Sequence, residues 1–379
     1  MTPFTFRTTP AILSEPGATA KIGALAADLG IRHAAFVTDK GVLALGLAQP
    51  ALDALKAAGI AVTVFDDVTA DPPEAQVLAI AEGARAAGCD GVVSVGGGSP
   101  MDTAKLTALL LGAPQPLAEA YGVNLARGRR APLILAPTTA GTGSEVTPLA
   151  IVTTGEAEKK GVSAPQLLPD WAVLDGDLTL GLPRAVTAAT GVDAMVHAIE
   201  AYTSARLKNP VSDALAREAL RLLGGSIRNV CNDAPHDREA RGRMLLGAML
   251  AGMAFANAPV AAVHALAYPL GGHFHVPHGL SNCLVLPHVL AFNMPAAEPL
   301  YAELTPLVFP GAHGGAALAE GFARLAPEIG LETRLSAVGV GHNHLPMLAA
   351  DAMKQTRLLV NNPREMTEAD ALAIYEAAL

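Results

Sequence analysis

Five of the chain's 11 histidines fall between His264 and His288. Upstream, Gly191-Val192-Asp193-Ala194-Met195-Val196-His197 sets a carboxylate and an imidazole four residues apart, which stacks them on one face of a helix. That pair alone is as well explained by buried polar groups satisfied by their neighbours. Adding His264 and His278, the latter fixed in a Pro277-His278-Gly279 turn, gives three imidazoles and one carboxylate. Such a donor set suits a divalent transition metal and leaves a coordination position for substrate. His273, His275 and His288 are expected on the pocket wall or in structural contacts. His33, His236, His313, His342 and His344 are expected at helix ends or in solvent.

Two further stretches carry a different chemistry. Gly96-Gly97-Gly98-Ser99-Pro100 follows a β-type run and opens a helical one. It reads either as an ordinary Gly-rich turn or as a phosphate cradle, in which glycines admit the backbone and a helix N-terminus supplies N–H groups. Ser99 would be the N-cap and Pro100 the first helical residue. Pro137-Thr138-Thr139-Ala140-Gly141-Thr142-Gly143-Ser144-Glu145-Val146-Thr147 clusters hydroxyls at another strand exit, suited to a carboxamide or to phosphate oxygens. Asp39, at the end of an earlier strand, is either a turn or cap residue or the acceptor for a ribose hydroxyl pair. In the second case its charge repels a 2′-phosphate and favours NAD over NADP.

The elements that must position these groups follow from the pattern. Strands are expected at Ala34–Thr38, Ala61–Phe65, Gly91–Val95 and Pro132–Ala136, with helices at Leu52–Ala58, Pro73–Ala87 and Met101–Leu111. Repeated βα units imply a mostly parallel, Rossmann-like sheet whose ligands bind at the carboxyl ends of the strands. Beyond Leu182 the pattern turns helical, with candidate helices Pro183–Ser204, Val211–Val230, Asp237–Ala256 and Ala316–Leu325. Two domains are therefore expected: an α/β dinucleotide-binding domain over 1–182 and an all-α metal and substrate domain over 183–379. The uncharged segment Met244–Ala267 reads as one buried core helix leading into the metal site rather than a membrane span.

With 51% hydrophobic and 16% charged residues, the chain can build a large core. A net charge of −9 argues against nucleic acid or an anionic membrane as the main partner. Cys89, Cys231 and Cys283, odd in number and without a CxxC, read as free thiols in a reducing compartment. No secretory signal is visible at the start of the sequence, and a cytoplasmic protein is expected.

Four motifs in order, Gly96–Lys105 (GGGSPMDTAK), Pro137–Thr147, Gly191–Glu200 (GVDAMVHAIE) and His264–Gly279, resemble the iron-containing (group III) alcohol dehydrogenase family along essentially the whole chain. The resemblance implies an NAD-binding α/β domain, a helical metal domain and a site in the cleft between them. It implies Fe²⁺, with Zn²⁺ possible, on Asp193, His197, His264 and His278. It implies pyrophosphate contacts at Gly97, Gly98, Ser99 and Asp102, and the adenine ribose on Asp39. Thr138, Thr139, Thr142, Thr147 and Lys159 would complete the cofactor shell. The family often carries a histidine at the position of Tyr268, so the proton relay here falls to Tyr268, His273 or water. It often carries Asn at the position of Asp71, which receives no role.

The implied reaction interconverts a primary alcohol and its aldehyde by hydride transfer, on a homodimer or larger assembly. A metal-free enzyme resembling maleylacetate reductase is the first alternative, against which the complete ligand set speaks. A lyase resembling dehydroquinate synthase would need a basic pocket that residues 260–290 do not supply. A non-catalytic nucleotide-binding module would leave the ligand set without a purpose. Leu149, Ile151, Phe255, Tyr268 and His273 would form a mostly apolar substrate wall, fitting a short to medium alcohol or aldehyde rather than a polyanion.

Overall fold

In a computed structural model that describes residues 3–113, 115–155 and 158–379, the first half of the chain alternates strands and helices. In order these are β1 (Ala11–Ser14), α1 (Ile22–Asp28), β2 (His33–Val37), α2 (Lys40–Ala44), α3 (Gln49–Ala57), β3 (Ala61–Phe65), α4 (Glu74–Ala86), β4 (Gly91–Gly96), α5 (Gly98–Gly112), β5 (Gly122–Val123), β6 (Leu133–Pro137), β7 (Leu149–Thr154), β8 (Glu158–Ser163) and β9 (Trp171–Leu174). One sheet has the order β1-β9-β6-β4-β2-β3, and every pairing in it is parallel. β4 lies between β6 and β2, so its carboxyl end opens beside theirs.

Period-two alternation accounts for the two faces. Phe36, Val93, Val95 and Ile134 enter one apolar core with α1 and α3 residues such as Ile22 and Leu55. Their neighbours Ala35, Val37, Val92, Leu133 and Leu135 enter another with Met101 and Ala104 of α5. A smaller sheet, β5-β8-β7, packs Val152 and Val162 with Leu106 and Leu109 of α5. Neither strand is among those expected: β8 is polar (EKKGVS), whereas β7 (LAIVTT) carries a β-branched apolar run that could have announced it.

The second half is helical: α6 (Arg184–Thr203), α7 (Pro210–Gly224), α8 (Arg238–Asn257), α9 (Ala262–Phe274), α10 (His278–Val308), α11 (Ala316–Glu328), α12 (Leu345–Met353), α13 (Thr356–Leu359) and α14 (Glu368–Ala378). The expected fold class, a parallel α/β part followed by a helical part, is the one observed. One expectation needs correction. Met244–Ala267 is not one helix: α8 ends at Asn257, Pro259 lies in the break, and α9 leaves at 106°. The bend lets the second helix re-enter the core in a new direction. α10 runs on through Pro287, Pro295, Pro299 and Pro306, each of which removes one backbone donor without ending the helix. By length and composition α10 could cross a membrane, yet Leu284, Val285, Leu286, Val289 and Leu290 are all buried, and the helix packs on α6, α9 and α11.

By contact the chain divides into two compact units. One comprises Arg7–Thr139 and Gly143–Thr179. The other comprises Leu180–Leu379, Ala140–Thr142 and the N-terminal residues up to Phe6.

Candidate metal centre and dinucleotide cradle

Three helices present the donor set. α6 carries Asp193 and His197, α9 carries His264, and His278 is the first residue of α10. Between α9 and α10 the chain reverses through His275, in the left-handed region at φ 54°, and Pro277 is the N-cap of α10. Gly279 lets α10 close on α6, because a Cβ there would lie 2.2 Å from the Ala189 carbonyl oxygen. That approach brings His278 to Asp193. One donor atom from each of the four residues lies within 4.8 Å of all the others.

The distances from the carboxylate are His278 Nε2 to Asp193 Oδ1 3.6 Å, His264 Nε2 to Oδ1 3.9 Å and His197 Nδ1 to Oδ2 4.0 Å. Donors about 2.1 Å from a tetrahedral ion stand about 3.4 Å apart, so a small contraction closes the set around one. The His197 Nδ1 is buried without a hydrogen-bond partner, while its ring bonds the backbone at Gly141. A buried orphan donor atom aimed at a carboxylate and two imidazoles fits a metal ion. Burial pushes His197 down to about 3, so it is neutral and able to ligate. Burial works to raise Asp193, but the three imidazoles and the Asn282 amide outweigh it and hold the carboxyl low. Asp193, His197 and His264 are buried, whereas the His278 side chain is 45% exposed, which leaves the set open on one side.

Two supporting residues carry no role in the sequence reading. Glu200 follows Asp193 and His197 at the next turn of the same α6 face. Its Oε2 accepts from His264 Nδ1 (2.6 Å) and its Oε1 from the Val263 N–H (2.7 Å). A proton on Nδ1 leaves the Nε2 lone pair for the centre. Asn282, one turn after His278, donates to Asp193 Oδ1 at 2.6 Å. Helical phase alone could have found both. Phe255 stacks on His197 with ring centroids 4.3 Å apart.

Tyr268, one turn beyond His264, has its ring 5.9 Å from that of His278. Burial pushes its phenol up, against the pull of Arg357, so it stays a neutral donor. His273 lies a further turn on, partly exposed and hydrogen-bonded to Asp351; among the described residues no hydrogen bond or ring contact ties it to the four donors.

In the α/β unit, Gly97 is the N-cap of α5 and makes no side-chain cap. The helix therefore starts before the expected Ser99, whose hydroxyl instead accepts from the Asp71 N–H at 3.3 Å. The uncapped N-terminus opens on a cavity of about 520 Å³ lined by Asp39, Asp66, Asp67, Gly97, Gly98 and Ser99. A Cβ on Gly97 would meet nothing nearer than Thr139 at 3.8 Å, whereas one on Gly96 would lie 2.6 Å from Pro100. Space beside Gly97 and bare first-turn N–H groups fit a pyrophosphate. Asp39 caps α2, accepting from Val42 N–H at 2.9 Å, and also lines the cavity.

Asp102 commits both oxygens within the protein, to the Ser144 hydroxyl (2.6 Å) and the Ile151 N–H (2.9 Å). Lys105 is buried, donating to Thr147 Oγ1 (3.1 Å) and the Leu149 carbonyl (2.7 Å). Burial pushes nearby Glu145 up to about 7, against the pull of Lys105. Thr138 is buried behind the cradle, its N–H donating to the Gly96 carbonyl, and Thr142 groups with the helical unit. Lys159 pairs with Asp71 Oδ1 at 2.6 Å and donates to Thr153 Oγ1 at 2.9 Å. A carboxylate at 71 thus has a lysine for a partner.

A family model for iron-containing alcohol dehydrogenases matches residues 9–176, and one for the C-terminal part of the Fe-containing alcohol dehydrogenase family matches residues 187–379. The chain belongs to the iron-containing alcohol dehydrogenase family. It is 39% identical over 364 residues to long-chain-alcohol dehydrogenase 1 of Geobacillus thermodenitrificans (strain NG80-2), covering 92% of this chain and 90% of that one. It is 38% identical over 364 residues to 4-hydroxybutyrate dehydrogenase of Cupriavidus necator, covering 93% of each. A crystal structure of 1,3-propanediol oxidoreductase superposes with a TM-score of 0.95 at 34% identity, covering 100% of both chains. Like other iron-containing alcohol dehydrogenases, the protein is a metal- and NAD-dependent oxidoreductase that interconverts a primary alcohol and its aldehyde by hydride transfer.

Proposed function

We propose that Asp193, His197, His264 and His278 hold one catalytic divalent ion, iron(II) with zinc(II) as the alternative, and that the α/β unit holds NAD. The convergence of the four donors carries this reading. When bound, the ion lowers the pKa of an alcohol and polarises an aldehyde carbonyl, while the nicotinamide takes or supplies the hydride. Neutral His197 supplies a lone pair, the Nε2 of His264 another, and Asp193 supplies the one negative charge. Glu200 keeps His264 in the tautomer that presents Nε2 to the centre. Tyr268 offers its hydroxyl to the substrate oxygen and passes its proton toward solvent on the exposed His278 side. His273, held by Asp351, is the second candidate for that relay.

In the cradle, Gly97, Gly98 and Ser99 receive the pyrophosphate. Asp39 takes the adenine ribose, and Asp66 and Asp67 strengthen the repulsion of a 2′-phosphate. Thr138, Thr139, Thr142, Thr147 and Lys159 shape the rest of the shell, with Asp102 holding the 144–151 segment against α5. Domain limits of 1–182 and 183–379 follow from this division of labour. Three free thiols support a cytoplasmic setting, with Cys231 and Cys283 pushed up by burial to about 11 and about 12. A homodimer or larger assembly acting on small molecules is proposed by analogy with the family, with neither nucleic acid nor membrane as a partner.

The test is an aldehyde panel assayed with NADH and NADPH, before and after chelation. Chelator-sensitive reduction that prefers NADH supports the reading. Undiminished reduction of a keto acid by metal-free protein would move the assignment to the metal-free alternative.

A further inference from the structure

The carboxylate of Asp71 stands beside the phosphate end of the cradle with a charge that the fold does not require. Asp71 lies in the left-handed region, at φ 53°. Its backbone is held without help from its side chain. The Asp71 carbonyl accepts from the Thr153 hydroxyl (3.0 Å), the Pro72 carbonyl accepts from the Thr153 N–H (2.9 Å), and Pro73 forms a β-bridge with Thr153 of β7. A neutral residue that tolerates the same conformation would be clamped equally well.

Its position makes the charge consequential. The Asp71 N–H donates to the Ser99 hydroxyl at 3.3 Å, and Ser99 and Ala70 both line the cavity. Three carboxylates, those of Asp39, Asp66 and Asp67, already line it, and Lys40 is the one cation among the described lining residues. A further carboxylate beside a pyrophosphate would oppose the dipole of the α5 N-terminus. The Lys159 ammonium meets that carboxylate, 2.6 Å from Asp71 Oδ1, and donates to Thr153 Oγ1 at 2.9 Å. Strand register puts it there, because Lys159 of β8 lies directly opposite Thr153 of β7. One threonine thus fixes both the Asp71 turn and the cation that neutralises it.

We propose that Lys159 serves the dinucleotide by neutralising Asp71 rather than by touching the cofactor, so that the pair sets the affinity for the pyrophosphate. The inference rests on the dinucleotide reading proposed above. Both side chains reach solvent, which screens their fields and keeps the effect moderate. An uncompensated carboxylate at 71 should weaken binding roughly three- to tenfold, and added salt should shrink that loss.

The experiment measures Kd for NADH and for ADP-ribose by calorimetry on the metal-loaded, full-length chain, at low and at high salt. It compares the wild type with Lys159→Gln, Asp71→Asn and the double variant; Asn tolerates the left-handed turn as Asp does. Lys159→Gln is expected to bind both ligands roughly three- to tenfold more weakly at low salt, with a smaller loss at high salt. Asp71→Asn should bind no more weakly than the wild type, and the double variant should return to within about twofold of it. A double variant as weak as Lys159→Gln would overturn the inference and place the lysine on the cofactor itself. A loss in Lys159→Gln that ignores salt, or weaker binding by Asp71→Asn, would overturn it and make the pair a structural tie. Wild-type affinity in Lys159→Gln would overturn it outright. No binding of either ligand by the wild type would overturn the proposed cofactor and this inference together.

Discussion

In the helical unit, four side chains leave α6, α9 and α10 and converge on one point, three of them buried. In the α/β unit, the corresponding surface is mostly backbone: a bare helix N-terminus, glycines and short hydroxyls around an open cavity. The first region concentrates charge where water is scarce, so each donor must be oriented by a partner such as Glu200 or Asn282. The second accepts a charged ligand with dipoles and space, and its requirement is the absence of side chains rather than their identity. A change in the centre should therefore act through orientation and protonation, and one in the cradle through volume.

Glu200→Gln keeps an oxygen acceptor but removes the charge that orients His264. It should weaken metal affinity about 10- to 100-fold, read by competition with a chelator, while the thermal midpoint of the metal-free protein moves little. Unchanged affinity would make Glu200 only a cap for the start of α9, through its bond to the Val263 N–H. A smaller effect is expected in the cradle. Gly97→Ala has room, since its Cβ would stop 3.8 Å from Thr139, so the variant should fold normally. Occupying the approach to the α5 N-terminus should raise KM for NADH about tenfold, the loss of about 1.4 kcal/mol of binding. An unaltered KM would take the pyrophosphate away from Gly97.

Much of the framework was legible because its signals are local. Near-continuous apolar runs at Ala34–Val37 and Val92–Val95 announce strands buried on both faces, and Asp193 to His197 states its own helical phase. What stayed hidden depended on distant packing. Four prolines punctuate α10, but each interrupts only one backbone bond while tertiary contacts hold the helix. The uncharged Met244–Ala267 run has a helix's composition, and only its 106° bend at the Pro259 break shows that it is two. Glu200 and Asn282 were readable in principle, each lying a turn beyond an assigned ligand.

The most direct test of the metal centre is metal content after anaerobic purification, comparing the wild type with His264→Ala and His273→Ala. The account predicts about one Fe or Zn per chain in the wild type and in His273→Ala, and little in His264→Ala. Loss of NADH-linked turnover should accompany the loss of metal in His264→Ala. A metal-free His264→Ala protein with wild-type turnover would contradict it and recast the four donors as structural.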